Sequence, residues 1–131
     1  MTFLLDTDTC ISVLRLKPGY TERLAHEAPS NIAVSTVTVF ELFCGIEKAA
    51  RPESEREKVQ RLVSMIHELP FDRAAATAAA RIRMQLERTG QPIGPYDLLI
   101  AAQAVANDLT LVSNNGVEFR RVEGLRLISW P

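Results

Sequence analysis

Cysteine is scarce in this chain: Cys10 and Cys44 stand far apart, with no CxxC spacing between them. That excludes a disulfide framework and a thiolate zinc site, and both residues are expected to be buried, reduced thiols. Histidine is equally scarce, with His26 and His67 in separate polar segments. No apolar run approaches the ~20 residues of a membrane span. The stretch Met1-Thr2-Phe3-Leu4-Leu5-Asp6 has no basic region and meets an acid too early for a signal peptide. A cytoplasmic protein with no membrane association is expected. Charge of either sign is not in excess: 15 Lys and Arg face 16 Asp and Glu, a formal net charge of −1. The chain as a whole therefore exerts no pull on polyanions, and such a partner would need a local basic patch or a metal. Repeats, linkers and low-complexity tracts are absent as well.

What is present reads as one globular domain over residues 1–131, with 47% hydrophobic and 24% charged residues. Phe3-Leu4-Leu5 is a short continuous apolar run, the pattern of a strand covered on both faces. Ile32–Ser35, Leu109–Val112 and Leu125–Ser129 repeat that pattern, and Glu68–Phe71 is a briefer candidate. Between them, helices are expected over Thr7–Leu16, stopped by Pro18-Gly19, and over Tyr20–Glu27. A third runs from Thr36 toward Arg51-Pro52. A fourth, over Ser54–His67, opens on a Ser54/Glu57 capping box and carries Val59, Leu62, Val63 and Ile66 on one face. Asp72–Thr89 is a long alanine-rich helix closed by Gly90. Pro95 begins the last, which runs to Asn107. Strands alternating with helices predict an α/β fold with a short, mainly parallel central sheet flanked by helices.

Four acids fall where such a sheet places chemistry. Asp6 follows the first strand at once, and Glu118 lies in the polar turn Ser113-Asn114-Asn115-Gly116-Val117-Glu118 after another. Glu41 sits in an otherwise apolar stretch, and Asp97 in the first turn of the Pro95 helix. In open parallel sheets ligands bind at the carboxyl ends of strands, so all four can converge on one edge. Each also has a plain structural reading. Asp6 can cap a helix, Glu41 can close a capping box with Thr38, Asp97 can answer the helix dipole, and Glu118 can be a solvated loop residue. Gathered together, though, they repel: two carboxylates ~4 Å apart cost about 1 kcal/mol in water and about 4 at an effective dielectric of 20. Hard Mg²⁺ or Mn²⁺ suits an all-oxygen cluster of this kind, and such sites activate water against phosphodiesters.

Several separated motifs then occur in order: Leu4-Leu5-Asp6-Thr7; Ser35-Thr36-Val37-Thr38 with Glu41-Leu42 and Gly45; Gly94-Pro95-Tyr96-Asp97 with Ile100-Ala101-Ala102; Leu111-Val112-Ser113-Asn114-Asn115 with Phe119; and Val122-Glu123-Gly124-Leu125 with Trp130. Over essentially its whole length the chain resembles the PIN-domain ribonucleases, specifically the VapC-type toxins of toxin–antitoxin pairs. The resemblance implies a single PIN-like α/β domain whose acids bind one or two Mg²⁺ or Mn²⁺ ions for endonucleolytic RNA cleavage. It implies Asp6, Glu41 and Asp97 as catalytic metal ligands. Many relatives carry Asp where this chain has Asn115, and Glu118 is taken as the fourth carboxylate, one turn later. Thr7, Asp8, Ser113 and Asn115 are candidate supporting residues. The implied partners are an RNA substrate, transfer RNA among the candidates, a cognate antitoxin, and a second copy in a homodimer or a heteromer with the antitoxin. Ile11, Leu14 and Leu24 are taken as part of the antitoxin surface, and the alanine-rich helix as a surface for close packing, in a dimer or against a partner helix or the sheet; Arg81, Arg83, Arg88, Arg120 and Arg121 are candidate phosphate contacts, although most such arginines are simply solvated.

Two other readings compete. Phe3-Leu4-Leu5-Asp6-Thr7-Asp8-Thr9 also fits the DxDxT motif of haloacid-dehalogenase-type phosphatases, with Asp6 as nucleophile and Asp8 as acid/base. That family needs a downstream lysine and paired acids, and no paired acids follow Leu109–Val112. A catalytically silent binding module is the third, since fold alone does not guarantee activity.

Overall fold

Phe3–Leu5 forms the first strand, β1, and its alternating side chains divide the core in two. A computed structural model describes residues 1–131. After β1 come α1 (Thr7–Leu14), α2 (Tyr20–His26), β2 (Ile32–Ser35), α3 (Thr36–Lys48), α4 (Pro52–Met65) and β3 (His67–Leu69). Then follow α5 (Arg73–Arg88), α6 (Pro95–Ala106), β4 (Thr110–Val112), α7 (Gly116–Phe119) and β5 (Arg126–Ile128). The sheet order is β3-β2-β1-β4-β5, and every neighbouring pair is parallel. Leu4 stands opposite Ala33 on one side and Leu111 on the other. These three face α5 and α6, together with buried Phe119. Leu5, Val34 and Val112 point the opposite way, into a second core closed by Cys10, Val39, Leu62 and Trp130. The apolar runs are continuous because both faces are covered.

Local chemistry explains the helix boundaries. Asp6 caps α1 by accepting the Thr9 backbone N–H at 2.8 Å, and Asp72 caps α5 through the N–H of Ala75. Ser35 caps α3, so the expected Thr38/Glu41 box does not start that helix. The expected Ser54/Glu57 box is likewise replaced: α4 begins at Pro52, whose fixed φ suits the first helical turn. The third strand ends at Leu69 rather than reaching Phe71. The four-residue α7 lies in what reads from sequence as a turn.

Small residues let α5 and α6 approach closely. Ala75, Ala78 and Ala79 pack with Ile100, Ala101, Ala102 and Ala104 in one core. The alanine stripe thus meets a partner helix of its own chain, the alternative to a dimer surface, and only Ala74, Ala76 and Ala80 face outward. The cysteines also divide. Burial pushes the Cys10 thiol well up, whereas Cys44 is only half-buried, short of the burial expected of it; neither forms a disulfide. No helix is long and apolar enough to cross a membrane.

Candidate functional site

The order of the sheet reverses at β1, which has β2 on one side and β4 on the other. Ligand crevices open at such points, at the carboxyl ends of the strands. Asp6 is the residue after β1. Its backbone N–H continues the ladder to the Val112 carbonyl, and the Thr9 hydroxyl reaches the same carbonyl at 3.0 Å. The side chain is 2% exposed, so capping and burial occur together. Burial raises the Asp6 carboxyl above its ordinary range, against hydrogen bonds from Ser113 and Thr9 that pull it down. Ser113, the residue after β4, is itself buried and accepts the Asn115 N–H at 2.9 Å.

Glu41 lies one turn into α3 and turns back toward α1. The Thr7 hydroxyl donates to its Oε1 at 2.6 Å and lies 3.1 Å from the Thr38 hydroxyl. Two buried threonines therefore set the orientation of this carboxylate. Phe40 and Tyr96, each one residue before an acid, meet edge to face at 5.6 Å and tie α3 to the start of α6.

Asp97 occupies the first turn of α6, where the helix dipole favours its charge. That help is outweighed. Burial, then repulsion from Glu118, Asp6, Glu41 and Asp8 in decreasing order, pushes its carboxyl up to about 7. Asp97 is thus the point at which the acids meet. Glu118, the strongest of these repulsions, shares Gly94 with it: a Cβ built on that glycine would lie 3.6 Å from both the Asp97 and the Glu118 carboxylates.

Glu118 is held differently. One oxygen accepts the Gly94 N–H, and the other accepts the Asn115 amide at 2.8 Å. These bonds hold its carboxyl below the usual glutamate range. They also clamp α7 to the loop ahead of α6. Asp8 is exposed and acts on the site through its charge. Asn114, next along the turn, meets the hydroxyl of buried Tyr20 and anchors this edge to α2.

The donors are therefore all oxygens, with no sulfur or imidazole among them, which is the set a hard divalent cation takes. In the conformation described, no three acidic, histidine or cysteine groups close around a single point. The cluster is gathered and mutually repelling, with the ring itself still open. The unrelieved charge on Asp97 is what a cation would neutralise.

The Thr7–Glu41 bond, the Gly94–Glu118 clamp and the Tyr20–Asn114 contact are invisible to sequence reasoning. The residues carried signals one by one, as candidate acids or motif members, but nothing in the sequence paired them. Among the candidate phosphate contacts, Arg83 pairs with Glu87 and Arg121 with the Pro92 carbonyl. Arg81 and Arg88 are exposed on α5, and Arg120 lies beside the site.

A parallel five-stranded sheet with acids gathered at its reversal point defines a carboxylate-centred α/β domain of nuclease type. The chain belongs to the PIN-domain family, whose model matches residues 3–125, and within it to the VapC-type ribonucleases, the toxins of toxin–antitoxin modules. It is 39% identical over 130 residues to the tRNA(fMet)-specific endonuclease VapC of Shigella flexneri, covering 99% of this chain and 98% of that one. Its fold is similar to DNA-bound VapBC from Salmonella typhimurium, with a TM-score of 0.95, 37% identity, and 100% and 99% of the two chains covered. It is also similar to VapBC2 from Rickettsia felis bound to a promoter DNA fragment, with a TM-score of 0.93, 32% identity and both chains covered in full. These findings do not favour the phosphatase reading. No lysine forms an ion pair with any of the acids.

Proposed function

We propose that Asp6, Glu41, Asp97 and Glu118 hold a Mg²⁺ or Mn²⁺ ion, that this ion serves cleavage of a transfer RNA, and that a cognate antitoxin covers the site. The observation that carries the reading is the convergence on Asp97, whose carboxyl is lifted to about 7 by burial and then by repulsion from four other carboxylates, in a chain whose net charge is only −1. When bound, the ion supplies an activated water and positive charge against the phosphodiester. The protein's own side chains do the positioning. Thr7 and Thr38 orient Glu41, Thr9 and Ser113 hold Asp6, and the Glu118 clamp on Gly94 sets the start of the helix bearing Asp97. Each oxygen of Glu118 has a second acceptor position beyond the N–H it already takes. Asn115 adds an amide donor where an acid would add charge.

The transfer RNA follows from the named activity of the Shigella relative, and the antitoxin from the VapBC complexes. Ile11 and Leu14 line a groove between α1, α3 and α4 that reaches Glu41, a route by which a partner segment could cover the acids; Leu24 packs on the core beside them. A cytoplasmic location and a homodimer belong to the same reading, the dimer using a face other than the buried alanine stripe. The test is cleavage of transfer RNA with Mg²⁺ and with EDTA, run beside a chromogenic phosphomonoester. Metal-dependent RNA cutting without monoester hydrolysis supports the reading, and the reverse pattern overturns it.

A further inference from the structure

Beside the acids, at the carboxyl ends of β4 and β5, lies an open recess of about 640 Å³ lined by Ser113, Asn114, Gly116, Arg120, Leu127 and Ser129 among others. It is continuous with the acid cluster, because Ser113 lines the recess and also hydrogen-bonds Asp6. Arg120 is the one charged residue in its wall. The guanidinium forms no ion pair and no hydrogen bond, although acids crowd the adjoining edge. It folds over Gly116 instead: a Cβ there would stand 3.2 Å from Nη2 and 3.4 Å from Cζ. The bare glycine gives the guanidinium its seat, and its donors are left free.

The basic groove on the other side of the site differs. Arg15, Lys48 and Lys58 line it, but Glu41 and Glu55 share the same wall. In the Arg120 recess an approaching anion meets a cation whose wall holds no acid. Arginine suits a phosphate, because its planar fork presents paired donors. The exposed hydroxyl of Ser129 is of the kind that contacts ribose hydroxyls.

We infer that Arg120 is a substrate-positioning residue: it grips the backbone phosphate of the RNA nucleotide next to the scissile bond, with the ribose in the Ser113–Ser129 recess. This rests on the ribonuclease reading. The test is steady-state cleavage of tRNA(fMet) in Mg²⁺ by the full chain and by Arg120→Ala and Arg120→Lys, across a range of salt. Arg120→Ala should raise KM about 5- to 10-fold with kcat within about 2-fold, the size of a single charge-assisted phosphate contact. The slope of log KM against log salt should fall by about 0.7, as one fewer single-strand phosphate contact requires. Arg120→Lys should recover part of KM and the salt slope, because it keeps the charge and loses the fork. An Arg120→Ala enzyme with parental KM and salt slope overturns the inference, and so does a loss confined to kcat. A parent chain that leaves the RNA intact fails at the ribonuclease reading and takes the inference with it. A parent that cuts beside an indistinguishable Arg120→Ala defeats the inference alone.

Discussion

Thr7, the first residue of α1, donates its hydroxyl to Glu41 of α3 at 2.6 Å, joining the two helices that leave the carboxyl ends of β1 and β2. Outer contacts of this kind orient metal-binding carboxylates, and their loss typically costs about 10- to 100-fold in metal affinity or activity. Thr7→Val keeps the shape and removes the donor. It should shift the Mg²⁺ dependence of RNA cleavage upward by about that factor and cost about 1 kcal/mol of stability. A Mg²⁺ titration of cleavage checks this, and an unmoved midpoint would leave Thr7 a purely structural residue.

The raised Asp97 carboxyl makes the metal-free protein less stable as pH rises. Below about 4 the group is protonated in both folded and unfolded chains and contributes no difference. Between its ordinary value of 3.8 and about 7 the unfolded chain loses the proton first, so stability falls through that window. Above about 7 the full penalty is present, about 1–2 kcal/mol once solvent screening of this half-exposed group is allowed for. Asp97→Asn should therefore melt higher than the parent at pH 8 in EDTA and match it at pH 4. Thermal melts at the two pH values decide it, and a variant that melts lower at pH 8 would contradict the repulsion.

Glu118→Gln should weaken Mn²⁺ binding and also loosen the clamp. Glutamine keeps one acceptor for the Gly94 N–H but turns an amide toward the Asn115 amide, donor against donor. About 1 kcal/mol of stability should be lost. Asn115→Asp tests the same turn from the other side: added charge should tighten Mn²⁺ and raise repulsion in the metal-free chain. Calorimetric Mn²⁺ titrations of both variants check the pair, and unchanged affinities would confine Glu118 to the clamp.

Close packing of α5 on α6 should make Ala101→Leu destabilising by about 1–3 kcal/mol, since its position is fully buried. Ala80→Leu, on the outward face, should change stability by no more than about 0.5 kcal/mol. Urea midpoints separate them, and equal costs would mean that both faces are packed.

The sheet was legible because strands covered on both faces are uninterrupted apolar runs. Phe3–Leu5 and Ile32–Ser35 have the bounds their composition predicts. Asp6 and Asp97 were legible because acids at strand ends and helix starts stand out from their apolar surroundings. Less was visible where the cause is tertiary. Nothing local separates a Ser54 cap from a Pro52 start, and a four-residue helix such as α7 has no periodicity to detect. The alanines of α5 announced close approach without naming the partner, which proved to be α6. Glu118 reads as a loop acid, because the Gly94 N–H that holds it is 24 residues away in the chain.

Asp97 is proposed to join the other acids in holding the metal that serves RNA cleavage. The most direct measurement is cleavage of transfer RNA by the parent chain and by Asp97→Asn, each with Mg²⁺ and with EDTA. The account predicts cutting by the parent in Mg²⁺ alone and a loss of at least about 100-fold in the variant, about 2.7 kcal/mol at the transition state. Undiminished cutting by Asp97→Asn, or by the parent in EDTA, would contradict it.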